Sequence, residues 1–515
     1  MSDFTEPRVF LVGAGPGAPG LLTLRAAELL ASADVVLYDQ LVPRRLLDFA
    51  NPAAETVCVR ELPGNHPDKY PHIHTLLIEN ARKGKRVVRL KGGDPLVFGR
   101  GGEEADALRA AGVPYEIVPG VTAALAAAAY LDLPLTHRNY SSAVALVTGH
   151  ELPSKPGNRL DWKVLAKFPG TLAIYMGISR LPLIVEQLLQ HGRDPNSPAA
   201  IVERASTGDM RSVSATLGTL EEARRHAGLE SPGLILVGDA VGHGVEKSWF
   251  QRRPLFGQRV LITRPRHQAG EMVRRIEELG GVPFVLPTVE IRDADPAAVD
   301  AALAEVRDGK WDWLVFSSAN GVHSLMKRVF ATGGDVRVFG RVKFATVGPK
   351  TAAALAEYRL TADIVPEAKF SAEQLAEQLG QHVRGQRVLL ARGKQGREVL
   401  REKLSAVATV GDVVVYEQAD AVEGRHEVLD ALRRGEIRYV TLTSPNVARA
   451  VAKLFDDTIR GRIARDEVRL VAISPLTAAA VTELGLANIS VASVATAEGL
   501  IDELIRLAKD RRDEH

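Results

Sequence analysis

The sequence predicts an α/β protein in two successive parts, the second built from two similar sheet-based domains. Three observations carry this. From residue 8 to 240, short Val/Leu/Ile runs alternate with Ala/Leu/Glu/Arg helical patterns. A polar, basic stretch without periodicity, HGVEKSWFQRRPLFGQ from His243 to Gln258, then breaks the alternation and reads as a linker with aromatic anchors. Beyond it, turns recur in pairs. SSAN at Ser317 returns as TSPN at Thr443, and VGPKT at Val347 returns as ISPLT at Ile473, both 126 residues later. Each first turn follows an apolar run, Leu314–Phe316 or Val440–Leu442, and precedes a helical pattern. Two similar α/β domains facing a cleft explain the shared spacing; chance matches of common turn residues are the alternative, against which the equal spacing argues.

Composition bounds the rest. A chain of 515 residues exceeds one ordinary core and suggests three or more globular units. Apolar residues at 46% and charged residues at 25% suit a folded protein. A net charge of +2 gives no bulk attraction to nucleic acid or an acidic membrane. The single cysteine, Cys58, rules out an intrachain disulfide and a four-cysteine zinc site. It lies in an apolar run and reads as a buried structural thiol. The Ala-rich run Val121–Leu135 contains Asp132 and is too short to span a bilayer. No signal-peptide pattern opens the chain, so a cytoplasmic enzyme or binding protein is expected.

The first strand ends at Phe10–Val12 and runs into LVGAGPGAPGLLTL, where Gly15, Gly17 and Gly20 satisfy G-x-G-x-x-G. A dinucleotide fingerprint starts its helix inside the glycines, so that free N–H groups meet a pyrophosphate. Here Pro16 and Pro19 lack those N–H groups. The helix is expected only near Leu22 or Thr23, running to about Leu30, and the loop reads as a rigid turn under something flat. The apolar run Val35–Leu37 leads to Asp39. A second stretch, VVRLKGGDPLVFGRGGEE, opens as a short strand Val87–Leu90 interrupted by Arg89. It then places Gly92, Gly93, Gly99, Gly101 and Gly102 before a helix expected near Glu103. Such density costs backbone entropy, about 1 kcal/mol per glycine inside an element, and ligand-contacting backbone accounts for it better than a mobile loop. Asp94 is suited to an ammonium or to turn amides. VPGVTAA from Val118 repeats the theme, with Thr122 as helix cap or ligand contact. A new strand opens at Arg259–Thr263, and the final KDRRDEH reads as frayed.

These residues carry a resemblance. VGAGPGAPGLLTL, YDQLVP from Tyr38, VVRLKGGDPLVFGRGGEE and VPGVTAALAAAAYLDLPLTHR from Val118 resemble the tetrapyrrole methylases, and among them uroporphyrinogen-III C-methyltransferases, over residues 8 to 245. The resemblance implies a two-domain methylase fold, S-adenosylmethionine as methyl donor, a homodimer, and methylation of uroporphyrinogen III at C2 and C7 to precorrin-2, toward sirohaem or cobalamin. It implies donor contacts at Pro16, Gly92, Gly93, Asp94, Val97, Thr122, Ala123, Tyr175, Met176, Gly177, Ala205 and Gly233. Thr148-Gly149-His150 and Ser231–Val241 also resemble family segments, and plain core packing is the alternative for Met176. The tetrapyrrole side falls to Gly15, Gly17, Arg44, His66 and Arg138. Asp39 is the catalytic candidate, a base for the proton released after methylation, with acceptance of turn N–H groups as its alternative.

One segment departs from the family. Its GKR-x-G-x-H is here RELPGNH, Arg60–His66, with Gly64 and His66 kept and the lysine–arginine pair lost. A substrate with eight carboxylates needs cations, which Arg44, Arg45, Arg60 and Arg138 offer. The departure leaves open a methylase of another precorrin fused to a synthase-like module, and a non-catalytic tetrapyrrole sensor is the rival of a different class.

The second part resembles uroporphyrinogen-III synthases over residues 257 to 507, through VLITRP, WLVFSSANGV, VGPKTAAAL, SAEQL, ARGKQGREVL, VVVYE, LTSPN and ISPLTAAA in that order. The resemblance implies a bilobed synthase with a two-stranded connector, closing hydroxymethylbilane into uroporphyrinogen III without metal or cofactor. Ser474 stands where the family has a glycine. The expected domains are 1–245, a linker 246–256, and 257–515, with lobe 1 about 257–290 and 425–507 and lobe 2 about 295–415. Substrate contacts are expected at Arg264, Ser318, Asn320, Lys350, Thr351, Arg392, Ser444 and Thr477, with Lys394, Arg397 and Asn446 nearby. Helix capping is the alternative for each hydroxyl. The expected partners are small-molecule tetrapyrroles, with no metal, nucleic acid or membrane.

Overall fold

The structure is a computed structural model that describes residues 6, 8–62, 69–150, 159–264, 266–286, 289–366, 371–394, 398–420 and 425–513. Gly64, His66 and Arg397 lie outside the described residues. The chain forms two compact units. One comprises Met1–Val260, Val273–Pro283 and Ile501–His515; the other comprises Leu261–Met272 and Phe284–Leu500.

The first unit opens with β1 (Val9–Gly13), α1 (Leu24–Ala31), β2 (Val35–Tyr38), β3 (Glu55–Cys58), α2 (Lys69–Arg82), β4 (Val87–Lys91), α3 (Gly101–Ala110), β5 (Tyr115–Val118) and α4 (Ala123–Leu131). The strands make a parallel sheet in the order β3-β2-β4-β1-β5. The unbroken apolar runs follow from this arrangement, because one face packs Phe10, Val12, Leu29 and Leu90 while the other packs Leu11, Leu37, Ile73 and Leu77. Helix α1 starts where the prolines let it, with Thr23 as cap accepting from Ala26 N, after a 3₁₀ turn at Pro19–Leu21. Helix α3 starts two residues before Glu103, at Gly101. Arg89 does not interrupt β4: it and Lys91 lie inside a strand buried along its whole length.

A second sheet follows, from β6 (Val144–Thr148), β7 (Thr171–Tyr175), β8 (Pro198–Glu203), β9 (Arg211–Thr216) and β10 (Gly233–Val237), in the order β6-β7-β10-β8-β9. Only β6 and β7 run parallel among its pairs. The aromatic anchors of the linker stretch are real. Phe250 is buried, Trp249 Nε1 donates to Ala129 O at 2.8 Å, and the Arg253 guanidinium lies over the Trp249 ring.

The remaining strands are β11 (Arg259–Ile262), β12 (Val282–Val285), β13 (Val289–Asp293), β14 (Trp313–Phe316), β15 (Lys343–Thr346), β16 (Arg387–Gly393), β17 (Thr409–Asp420), β18 (Tyr439–Leu442), β19 (Arg469–Ala472) and β20 (Ile489–Val491). They form two sheets, β12-β11-β18-β19-β20 and β13-β17-β16-β14-β15. The repeat read from the turns extends to the backbone. β18 and β19 begin 126 residues after β14 and β15, and the pairing Trp313↔Lys343 returns as Tyr439↔Arg469. Even the bridge Ala345↔Ile364 has its counterpart in Val471↔Ser490. The antiparallel ladder of β13 with the end of β17, Val289↔Asp420 to Asp293↔Tyr416, supplies two long-range crossing strands. The chain end is not frayed where described: helix Ala497–Asp513 buries Leu500, Leu504 and Leu507 and continues through Arg512.

Candidate active sites

In the first unit, three strand ends meet through glycine. A Cβ on Gly13 would lie 2.5 Å from Gly120 N, and one on Gly120 would lie 2.2 Å from Gly93 O. Gly15 and Gly93 bridge through N–H···O bonds of 3.2 and 2.8 Å, joining the glycine-proline loop to the GGDP turn. Gly15, Gly17 and Gly93 have φ of 71°, 139° and 69°, a region closed to most side chains. Asp94 accepts from Leu96 N at 2.8 Å and Gly120 N at 3.1 Å, so its carboxylate serves turn amides and ties the GGDP turn to the start of the next loop. Val97 N closes the same turn on Asp94 O.

The second sheet contributes Tyr175. Its hydroxyl lies 2.7 Å from Thr122 Oγ1 and accepts from Ala124 N at 3.0 Å, and burial pushes its ionisation upward. Thr122 stands at the cap position of α4, but its side chain makes no cap bond. Phe98 packs on Tyr175 with ring centroids 4.9 Å apart. The next residue, Met176, has a left-handed φ of 54° and remains 51% exposed, which removes plain core packing as its role. Gly149 N donates to Tyr175 O at 2.7 Å, and a Cβ on Gly149 would sit 2.6 Å from the Gly177 Cα, so the TGH and YMG turns abut. Gly233 begins β10 opposite Glu203, and Ala205 is half-buried beside the same core. Gly17 approaches Thr207, and Ala18 N donates to Ser206 Oγ at 3.3 Å. Exposed Leu96, Phe98 and Met176 beside backbone that tolerates no Cβ make an apolar, close-approach site, and these residues fit an S-adenosyl donor.

Asp39 sits at the end of β2 with its side chain 31% exposed. Arg89 NH2 donates to its Oδ1, and Lys91 Nζ stands 3.9 Å from Oδ2. Both cations also reach Glu104 Oε1, Arg89 Nε at 3.0 Å and Lys91 Nζ at 2.8 Å, while Arg89 NH1 donates to Leu37 O and Leu90 O. Arg89 and Lys91 are each 1% exposed and Glu104 is 0% exposed. Burial opposes the charge on Arg89, but Glu104 and Asp39 outweigh it and the net shift is upward. For Lys91, burial and then Arg89 prevail, and its ammonium is held below the usual range. Sequence reasoning missed this quartet. Its signal was present, two cations in a five-residue strand otherwise apolar. Among the expected substrate cations, Arg44 and Arg138 are exposed, whereas Arg45 is engaged by Asp48 and by Glu277 at 3.5 Å.

In the second unit, the expected hydroxyls divide between the two sheets. Ser318 caps helix Ala319–Ala331 through Gly321 N, Ser444 caps helix Pro445–Ala452 through Val447 N, and Ser474 caps helix Pro475–Thr482 through Thr477 N. Thr477 is wholly buried with its hydroxyl 3.1 Å from Ser474 Oγ, and Thr351 is buried too. Both side chains are therefore withdrawn from solvent at their helix starts. Ser318 Oγ also lies 3.0 Å from the hydroxyl of Tyr416, a residue sequence reasoning passed over, whose ring fills the space a Cβ on Gly393 would need. Asn320 is half-buried at the second position of its helix, and Lys350 is exposed. Arg392 is committed to Asp412 at 2.8 Å and Glu398 at 3.1 Å, and Lys394 to Glu417 at 2.9 Å. Burial lowers Arg264, against the pull of Glu498 and Glu271. Among the described residues, no cluster of His, Cys, Asp or Glu has metal-binding geometry, and no helix is long and apolar enough to cross a membrane.

Comparison with known proteins bears on both parts. Residues 8–221 match the model of the tetrapyrrole (corrin/porphyrin) methylases, and residues 270–502 match that of uroporphyrinogen-III synthase HemD. The porphyrin biosynthesis protein HemD of Ruminiclostridium josui is 34% identical over 506 residues, spanning 97% of this chain and 98% of that protein. A uroporphyrinogen-III C-methyltransferase of Priestia megaterium is 47% identical over 45% of this chain and 98% of its own. The structure of a uroporphyrin-III C-methyl transferase of Thermus thermophilus complexed with S-adenyl homocysteine is 47% identical over 46% of this chain and 99% of its own, with a TM-score of 0.39. With both family models matched in order and one relative aligned along nearly the whole length, this chain belongs to the family of fused proteins in which a tetrapyrrole methylase precedes a uroporphyrinogen-III synthase of the HemD type.

Proposed function

We propose that this chain closes hydroxymethylbilane to uroporphyrinogen III and then methylates that product at C2 and C7, giving precorrin-2. The observation that carries the reading is the ordered pair of family matches within one chain, because the product of one chemistry is the substrate of the other. In this reading the methylase is residues 1–245, a linker follows at 246–256, and the synthase is residues 257–515. The protein works in the cytoplasm as a homodimer through its methylase half.

S-adenosylmethionine, when bound, supplies a methyl group already activated as a sulfonium. Gly92, Gly93, Asp94, Val97, Thr122, Ala123, Tyr175, Met176, Gly177, Ala205 and Gly233 would hold it, with Pro16 at the edge of the first loop. Alignment and exclusion of water are then the work of the rigid strand-end loops. Gly15, Gly17, Arg44, His66 and Arg138 form the tetrapyrrole side, where the two arginines meet carboxylates. Asp39 takes the proton that the cationic macrocycle releases after methyl transfer. In the synthase, the fold holds the open chain in the shape that inverts its last ring. Ser318, Asn320, Lys350 and Ser444 stand at the helix starts of the two lobes, with Arg264 at a strand end.

The test uses the full chain with fresh hydroxymethylbilane, with and without S-adenosylmethionine. Type III isomer is expected in both cases, and methylated product only with the donor. Gly93→Arg should abolish methylation and leave the isomer ratio unchanged. Spontaneous closure gives type I, so a purely type I product rejects the synthase reading. Type III product left unmethylated points to another precorrin as substrate, which the Arg60-Glu61-Leu62 departure favours, and tight tetrapyrrole binding without any turnover points to a sensor.

A further inference from the structure

The buried cations beneath Asp39 are more than packing. Two positive and two negative side chains are gathered at the ends of β2, β4 and α3, and three of the four are withdrawn from water. Burying such groups is expensive, and apolar side chains would hold the same sheet together at lower cost. What an apolar core would lack is an oriented, partly exposed carboxylate at the strand ends.

The arrangement is directional. Arg89 spends every nitrogen: Nε on Glu104, NH1 on two carbonyls, NH2 on Asp39 Oδ1. That anchors Oδ1, while Oδ2 lies 3.9 Å from Lys91 Nζ, too far for a hydrogen bond but close enough for strong Coulomb coupling. Glu104 gives Oε1 to both cations, and its Oε2 is buried without a hydrogen-bond partner. Other ionisable groups beside this cluster, among the described residues, include Glu103, held below the usual carboxylate range by Arg100 above all and then by His74 on α2 and Lys91, and Tyr38, raised mainly by burial.

We propose that Lys91 and Glu104 are positioning residues that act in opposition on Asp39, with Lys91 holding its carboxylate charged and Glu104 limiting that effect, so that Oδ2 is the atom that takes the proton. This rests on the methylase reading above. The step balances: methyl transfer leaves the β-carbon fully substituted and the pyrrole ring cationic, the C–H bond of an adjoining meso methylene breaks, its electron pair neutralises the ring, and the proton forms an O–H bond at Oδ2.

The experiment is the pH profile of kcat/KM for uroporphyrinogen III in the full chain at saturating S-adenosylmethionine. Lys91→Met removes a cation 3.9 Å away and should move the acid limb up by about one pH unit. Glu104→Gln removes the opposing anion and should move the limb down, while Lys91→Arg should stay near wild type. In an Asp39→Asn background, itself slowed about 100-fold as for loss of a general base, Lys91→Met should change the rate by less than about 2-fold. S-adenosylhomocysteine affinity, measured by calorimetry, should be retained throughout. Limbs that stay fixed or move together overturn the proposal, as does an undiminished Lys91→Met effect without Asp39. Loss of S-adenosylhomocysteine binding in both Lys91→Met and Glu104→Gln makes the cluster a folding element and overturns it too. A wild-type chain that closes hydroxymethylbilane but methylates nothing rejects the methylase reading, and a wild-type chain that methylates normally while the limbs stay fixed rejects only the role given to the cluster.

Discussion

Gly120 illustrates how a single residue can hold a site open. Its neighbours are backbone atoms, Gly93 O and Gly13 Cα, which cannot rotate away as a side chain would. Gly120→Ala should therefore destabilise the methylase half by about 1–3 kcal/mol, the usual range for overpacking, and weaken S-adenosylhomocysteine binding. Thermal unfolding and calorimetry check this, and a neutral variant would mean that the three loops do not close on one another. Tyr175→Phe should cost about 1–2 kcal/mol by leaving the Ala124 amide and the Thr122 hydroxyl without their shared partner. The glycine density around residues 92–102 was readable because glycine is expensive and needs a reason. The charge at Arg89, Lys91 and Glu104 left its signal in an otherwise apolar strand, but its meaning was not readable, since a one-dimensional pattern treats a charged residue in a strand as an exposed face. Only the register that stacks β2 beside β4 shows that these cations point into a shared interior.

At the level of elements, each strand–cap–helix unit of the second half solves the same problem, the unpaired N–H groups at a helix start. Ser318, Ser444 and Ser474 solve it with a side chain, and Gly348, at the position equivalent to Ser474, has extended backbone and no side-chain cap. Ser444→Ala and Ser474→Ala should each lower stability by about 1 kcal/mol, the ordinary value of a serine cap, measured by urea unfolding. A loss well below this for Ser444 with a large loss of type III product would assign its hydroxyl to the substrate instead. The turns were legible in the sequence because capping residues are chemically restricted and a duplicated spacing is hard to reach by chance. The burial of Thr351 and Thr477 was not legible, because a threonine in the first turn of a helix looks the same whether it faces a cleft or a core. The continuation of the last helix through Arg512 was masked by its charged composition, although Leu500, Leu504 and Leu507 carry the periodicity that buries one side.

For the whole molecule, the order of the two halves was visible from motifs, while the path of the chain through the second half required the sheets. Thr263 Oγ1 donates to Thr441 O at 2.6 Å, and Thr441 Oγ1 returns the bond to Leu261 O at 3.0 Å. These two threonines clip β11 to β18 across 178 residues of chain, and the sheet β13–β17 lies entirely within that span. Before any of its own contacts are made, an open span of this length opposes closure entropically, whereas most pairings inside β14–β17 are shorter in range. The inserted sheet should therefore form first and draw the ends of its host together. Pulse-labelling hydrogen exchange during refolding should find amides of β14 and β16 protected ahead of those of β11 and β18, and the reverse order would rule this out. In that order of assembly the reciprocal threonine bonds act as a completion mark for the second half, made once the inserted sheet has shortened the distance between their strands, and the amides of β11 and β18 report it.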